Sequence, residues 1–142
     1  MQRLVLPIVA SILLLAACRK MESAEAPSKR EDIPWPAKPA GGEPVALQFV
    51  KMVGTAQGRG AEMTAFNFGS KDVQGLMLEL HYLDATGKEL QTFPFSLVSP
   101  LIVASGDHAA VQVGAFVPER TASVRADVEN VTYKDGTSWQ KK

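Results

Sequence analysis

Met77, Glu79 and His81 recur at every second position of one stretch, and thioether, carboxylate and imidazole groups are all metal ligands, copper accepting the first and last readily. Alternate residues of an extended chain share a face, so the three stand on one side of a strand. Met77 and His81 would then lie about 13 Å apart along it, too far to share one ion without ligands from neighbouring strands. The expectation is therefore a solvated or partner-binding face at Met77, Glu79 and His81, with no metal and no cofactor. A small-ligand or metal-binding surface is the alternative, using that same face or exposed Tyr133 and Trp139. His108, the other of two histidines, follows Gly106-Asp107 and is expected to be polar and exposed at a turn. No nucleophile, base and orienting group can be assembled. Gly-x-Ser-x-Gly is absent, and Gly54 to Gly60 lacks the following Lys and Ser or Thr of a phosphate loop. The chain is not expected to be an enzyme.

The element that must position this face is the stretch Val73 to Asp84. Read in steps of two, Leu76, Leu78, Leu80 and Tyr82 oppose Met77, Glu79 and His81, the alternation of a strand with one side buried. Turns flank it at Gly69-Ser70-Lys71-Asp72 and Asp84-Ala85-Thr86-Gly87-Lys88. Upstream, Val45, Leu47 and Phe49 share one face of a strand over 45–53, the glycines of 54–60 break it, and Thr64, Phe66 and Phe68 mark the buried face of the next. Downstream, Gly87 to Phe95 is polar and carries Pro94, which places it at a sheet edge. Leu97 to Val103, with Pro100 inside, is expected to be a crossing segment or a second edge. Ala109 to Val117 alternates cleanly. Ala122, Val124, Ala126 and Val128 keep one phase, whereas Val131 and Tyr133 are one step out of it, which predicts a bulge near Glu129-Asn130. Asp135-Gly136 predicts a hairpin between Tyr133 and Trp139. No segment offers a useful helical apolar face. About seven short strands with turns near every tenth residue predict an all-β fold, an immunoglobulin-like antiparallel β-sandwich spanning 45–142.

The first 17 residues read differently. Met1-Gln2-Arg3 is weakly positive, Leu4 to Leu14 is almost wholly apolar and too short to span a bilayer comfortably, and small residues precede Cys18. Leu15-Ala16-Ala17-Cys18 resembles the lipobox of bacterial lipoproteins. That resemblance implies removal of the signal peptide 1–17 and acylation of Cys18, the one cysteine of the chain. The implied protein is held at a membrane in the cell envelope through its lipid. In lipoproteins of this type an Asp after the cysteine signals inner-membrane retention. Arg19 stands there instead, which points to the outer membrane, facing the periplasm, where the organism has one. Under that reading Asn130-Val131-Thr132, which spells a glycan acceptor, carries no glycan. Residues 18–44 then form a tether. Charged residues are interleaved with Ala and Ser, followed by Pro34, Pro36, Pro39, Gly41 and Gly42, and as a flexible coil it would span roughly 25 to 30 Å. Trp35 within it is expected either to fold back onto the domain or to anchor a partner.

With 142 residues, 46% apolar and 21% charged, the chain accommodates one domain and its leader, and its net charge of +0 without a basic tract argues against nucleic acid. A single cysteine excludes an intrachain disulfide and a thiolate-rich zinc site. The run Asn67-Phe68-Gly69-Ser70-Lys71-Asp72-Val73, then Leu80-His81-Tyr82-Leu83-Asp84 with Gly87 behind it, and the closing Val-rich strand resemble the FxLYD-type immunoglobulin-like domains of prokaryotic surface lipoproteins. Leu80 stands where that family has its naming phenylalanine, and Tyr82 and Leu83 come in reversed order. The resemblance implies an accessory or binding role and transfers no catalytic residue. The expected partners are the membrane through Cys18 and an envelope protein or cell-wall polymer.

Overall fold

The computed structural model describes residues 33–56 and 58–142, so the signal peptide, Cys18 and most of the expected tether lie outside the described residues. Seven strands follow one another: β1 Val45–Thr55, β2 Gly58–Asn67, β3 Val73–Leu83, β4 Glu89–Val103, β5 His108–Val113, β6 Ser123–Tyr133 and β7 Ser138–Gln140. They form two antiparallel sheets, a three-stranded one ordered β1-β2-β5 and a four-stranded one ordered β4-β3-β6-β7. This is the immunoglobulin-like sandwich that the strand count and turn spacing predict.

β3 sits inside the larger sheet because its inward face is the most apolar of any strand. Leu76, Leu78, Leu80 and Tyr82 are each no more than 2% exposed. They pack between Phe93, Phe95 and Leu97 of β4 and Val124, Val128 and Val131 of β6, and beneath Ala61, Met63 and Ala65 of β2. Burying a leucine of this kind is worth about 1.5–3 kcal/mol. With no disulfide available, that apolar contact holds the sheets together.

The phase slip in β6 is a bulge. Leu78 pairs with Val128 and Met77 with Asn130, leaving Glu129 as the extra residue, which returns Val131 to the core. The Asp135-Gly136 hairpin is also present. Gly136 takes φ 85°, a conformation that side chains resist, and the Tyr133 amide bonds the Thr137 carbonyl at 2.9 Å. Asp135 accepts from the backbone and hydroxyl of Thr137 and from the Lys71 ammonium, which hold its carboxyl down to about 2. A depressed carboxyl stabilises the fold fully above its unfolded value near 3.8, and that contribution disappears as pH falls through about 2. Asp135→Ala is accordingly expected to lower the melting temperature at pH 7 and to leave a gap from the parent that narrows below about pH 4 and closes only below about pH 2. A gap of constant size across an acid titration would disprove this origin.

Four expectations about where the strands run and face need correction. In β2 the core face is Ala61, Met63 and Ala65, whereas Phe66 faces outward and is buried under Trp35, whose ring meets those of Phe66 and Phe68 at 5.2 Å each. Both faces of β2 are covered, so alternation there gives no unique inside. Trp35 thus folds back. The glycine-rich break at 54–60 is narrower than expected, since β1 continues through Gly54 to Thr55 and β2 begins at Gly58. β4 is one strand of 15 residues and not a strand plus a separate segment, although its ladder with β3 skips from Val98 to Val103 around Pro100. β5 ends at Val113 because Gly114 (φ 119°) and Phe116 (φ 52°) turn the chain away. That turn is held by the buried Tyr82 hydroxyl, which donates to the Ala115 carbonyl at 2.7 Å and accepts from its amide at 3.1 Å. Burial pushes the Tyr82 phenol up from its usual range, and the Ala115 amide pulls it partly back.

Candidate functional site

Strand pairing decides what surrounds the predicted face. His81 stands opposite Thr92 of β4 and Arg125 of β6, Glu79 opposite Pro94 and Asp127, and Met77 opposite Ser96 and Asn130. Cross-strand partners share a face, so these residues make the outward surface of the four-stranded sheet. Met77 is 55% exposed and Glu79 is also exposed, as expected.

His81 is not. It is only 7% exposed, because carboxylates from three strands close over its ring. Nδ1 lies 2.8 Å from Glu89 Oε1, Nε2 lies 2.9 Å from Asp127 Oδ2, and Glu79 Oε1 stands 3.4 Å from Nε2. Each ring nitrogen thus has a carboxylate oxygen within hydrogen-bond distance. The Arg125 guanidinium stands at the margin, its Nε 3.8 Å from Asp127 Oδ1. The solvated face expected at His81 is therefore corrected to a cross-strand clasp joining β4, β3 and β6. Both ring nitrogens are engaged, and among the described residues no group of His, Cys, Asp or Glu could hold a metal ion.

Replacing His81 with alanine is expected to destabilise the fold by about 2 kcal/mol in urea denaturation, as the bridge and its buried ring contacts vanish together. Glu89→Gln and Asp127→Asn are expected to cost less, since those side chains are 47% and 40% exposed and are rehydrated easily. A loss below about 0.5 kcal/mol for His81→Ala would show that the clasp contributes nothing.

Beside the clasp the same face opens into a shallow groove of about 430 Å³, lined by Met77, Glu79, Thr92, Pro94, Ser96 and Glu129 among others. Its exposed thioether and proline sit next to the carboxylates of Glu79 and Glu129 and the hydroxyls of Thr92 and Ser96.

Tyr133 and Trp139, which the sequence places at the surface, are instead half-buried against the core. Trp139 pairs with Val131 across the β6–β7 ladder, and Tyr133 lies two residues beyond Val131, so both turn inward once Glu129 has reset the phase. Lys71 Nζ stands 5.3 Å over the Tyr133 ring. Burial raises the Tyr133 phenol, and the Lys71 charge partly offsets it. His108 is likewise half-buried and not a free turn residue, its ring centroid 6.3 Å from that of Trp35 and 5.9 Å from that of Phe66.

Sequence reasoning missed Glu89, Asp127 and Arg125 as neighbours of His81. The short turn at Asp84–Lys88 carried enough signal to bring Glu89 near, since Leu83 pairs with Glu89 across it. Asp127 and Arg125 depend on a pairing made 46 residues away in sequence. Fold and face together define an immunoglobulin-like sandwich with a self-paired polar clasp and an adjoining groove on its larger sheet. No protein-family model, curated protein or solved structure matches the chain.

Proposed function

We propose that this protein is a non-enzymatic interaction module of the bacterial cell envelope, tethered to a membrane by lipid on Cys18, whose outward sheet face engages an envelope protein or a cell-wall polymer. The observation that carries the reading is the groove at Met77. An exposed apolar side chain and a proline, bordered by carboxylates on a stiff sheet, form a surface for contact, and the most chemically versatile side chain nearby, His81, is occupied in holding strands together. The lipobox-like Leu15-Ala16-Ala17-Cys18 supports the anchor. Arg19 in the place of an Asp supports the outer membrane where one exists, with the domain in the periplasm. The family resemblance to FxLYD-type domains rests on the residues quoted above and favours an accessory role.

Affinity capture from membrane extract tests the reading. The parent protein is expected to retain a stoichiometric partner that Met77→Asp loses, a substitution at a half-exposed position that leaves the core intact. A protein that retains nothing from extract or wall fragments, yet melts higher with a small ligand, would refute the interaction module.

A further inference from the structure

β1 and β5 end one sheet, and β4 and β7 end the other. An end strand presents unpaired N–H and C=O groups that bond any extended chain, and proteins blunt such rows with charge, proline, bulges or short length. β1 carries Lys51 and a bulge at Val50. β4 carries Pro94 and Pro100, and β7 has only three residues. The part of β6 that β7 does not reach holds Arg125 and Asp127. β5 has none of these protections. His108-Ala109-Ala110-Val111-Gln112-Val113 contains no proline and no Asp, Glu, Lys or Arg, and its ladder with β2 runs unbroken. Among the described residues, no strand but β2 is bonded to it.

The flank around it carries a single charged residue, Asp107, at the turn that leads into β5. No Asp, Glu, Lys or Arg occurs from Leu90 to Gly106 or from His108 to Pro118. Val98, Leu101 and Ile102 of β4 face Ala110, Val111 and Gln112 of β5 across a groove of about 190 Å³, with Val98 86% and Leu101 50% exposed.

We propose that β5 is a self-pairing edge, two copies of the chain joining β5 to β5 antiparallel about a two-fold axis, so that their three-stranded sheets become one. A two-fold contact sets a patch against its own image, so a charged flank repels itself and an uncharged one does not. Unpaired main-chain groups call for an extended strand, and β5 is itself the extended, uncharged, unprotected strand of this fold. A polyanion or an anionic membrane surface finds no Lys or Arg from Leu90 to Pro118 to pair with. Ala110 is small and exposed, which lets the two backbones approach, while Val98 and Leu101 of each copy leave water. Six residues make only about 20 Å of joined strand, so the contact falls below the roughly 1,200–2,000 Å² of stable complexes and the dimer forms at high local concentration. This inference goes beyond the partner at Met77, on the other sheet, and stands or falls separately from it.

Sedimentation of the full chain in detergent, over an about hundredfold range of concentration, is expected to carry the mean mass from one copy to two. Gln112→Lys and Val98→Asp, both at exposed positions, are each expected to raise the dimer dissociation constant at least about tenfold while leaving the monomer's melting temperature unchanged. The β5 amides that β2 does not bond are expected to exchange more slowly as the dimer forms. A one-copy mass throughout overturns the proposal. So does a dimer that both substitutions leave intact, or one in which those amides stay unprotected. Met77→Asp is expected to leave the mass profile unchanged, which separates this contact from the groove.

Discussion

Truncation of Leu80 to alanine is expected to cost about 3 to 5 kcal/mol, out of the roughly 5 to 15 kcal/mol that a domain of this size holds in total. Leu80 is 0% exposed and lies midway along β3, with Phe93 and Ala126 as its cross-strand partners and the smaller sheet above it. Because strands on both sides fix the backbone, the walls of the resulting hole move little. The loss thus includes a cavity contribution as well as the lost transfer of the side chain from water. Met77, on the same strand but on its outward face, supplies the internal control. At 55% exposure, Met77→Ala is expected to cost under about 0.5 kcal/mol. Urea denaturation of the two variants should therefore separate sharply at unchanged slope, and a Leu80→Ala loss below about 1.5 kcal/mol would mean that the sheets do not pack as described.

The second large effect concerns location. On the proposed function, Cys18→Ala removes the acylated residue, and the chain is expected to take up no labelled fatty acid and to leave the membrane fraction. The magnitude follows from chain count. Each buried methylene contributes about 0.8 kcal/mol, and two acyl chains anchor stably where one binds only marginally. An intermediate outcome is not expected. Among the described residues no helix is long and apolar enough to cross a membrane. Labelled fatty acid in the variant, or its undiminished presence in the membrane fraction, would refute the anchor. Arg19→Asp offers a finer check, since it is expected to shift an outer-membrane lipoprotein to the inner membrane.

How far the fold can be read from the residues depends on where each strand lies. β3 and β6 are legible because the apolar side chains of each fall on one face, so they recur with a period of two and even the extra residue Glu129 shows as a change of phase. β2 resists the same reading. Its outward Phe66 is as buried as its inward Met63, because Trp35 arrives from outside the sandwich, and no local pattern announces a cover of that sort. β5 and β7 fail for another reason. Val117 continues the alternation of β5 in type, but Gly114 takes a φ of 119° that bends the chain away. Trp139 gives no hint of facing inward until its pairing with Val131 is known. The candidate face was legible as Met77, Glu79 and His81. The burial of His81 was not, since Glu89 and Asp127 meet it through the pairing of β3 with two other strands, and a register is a long-range quantity.

Trp35 and Trp139 are the only two indoles of the chain, and neither stands in the central layer where Leu80 and Tyr82 lie. One covers the outer side of β2 and the other closes the last hairpin on the opposite sheet. Intrinsic fluorescence of this protein therefore monitors its periphery. Fraying of the entry segment or of the C-terminal hairpin alters emission while the leucine-rich interior is still intact, so an optical melting curve and a hydrodynamic one describe different events.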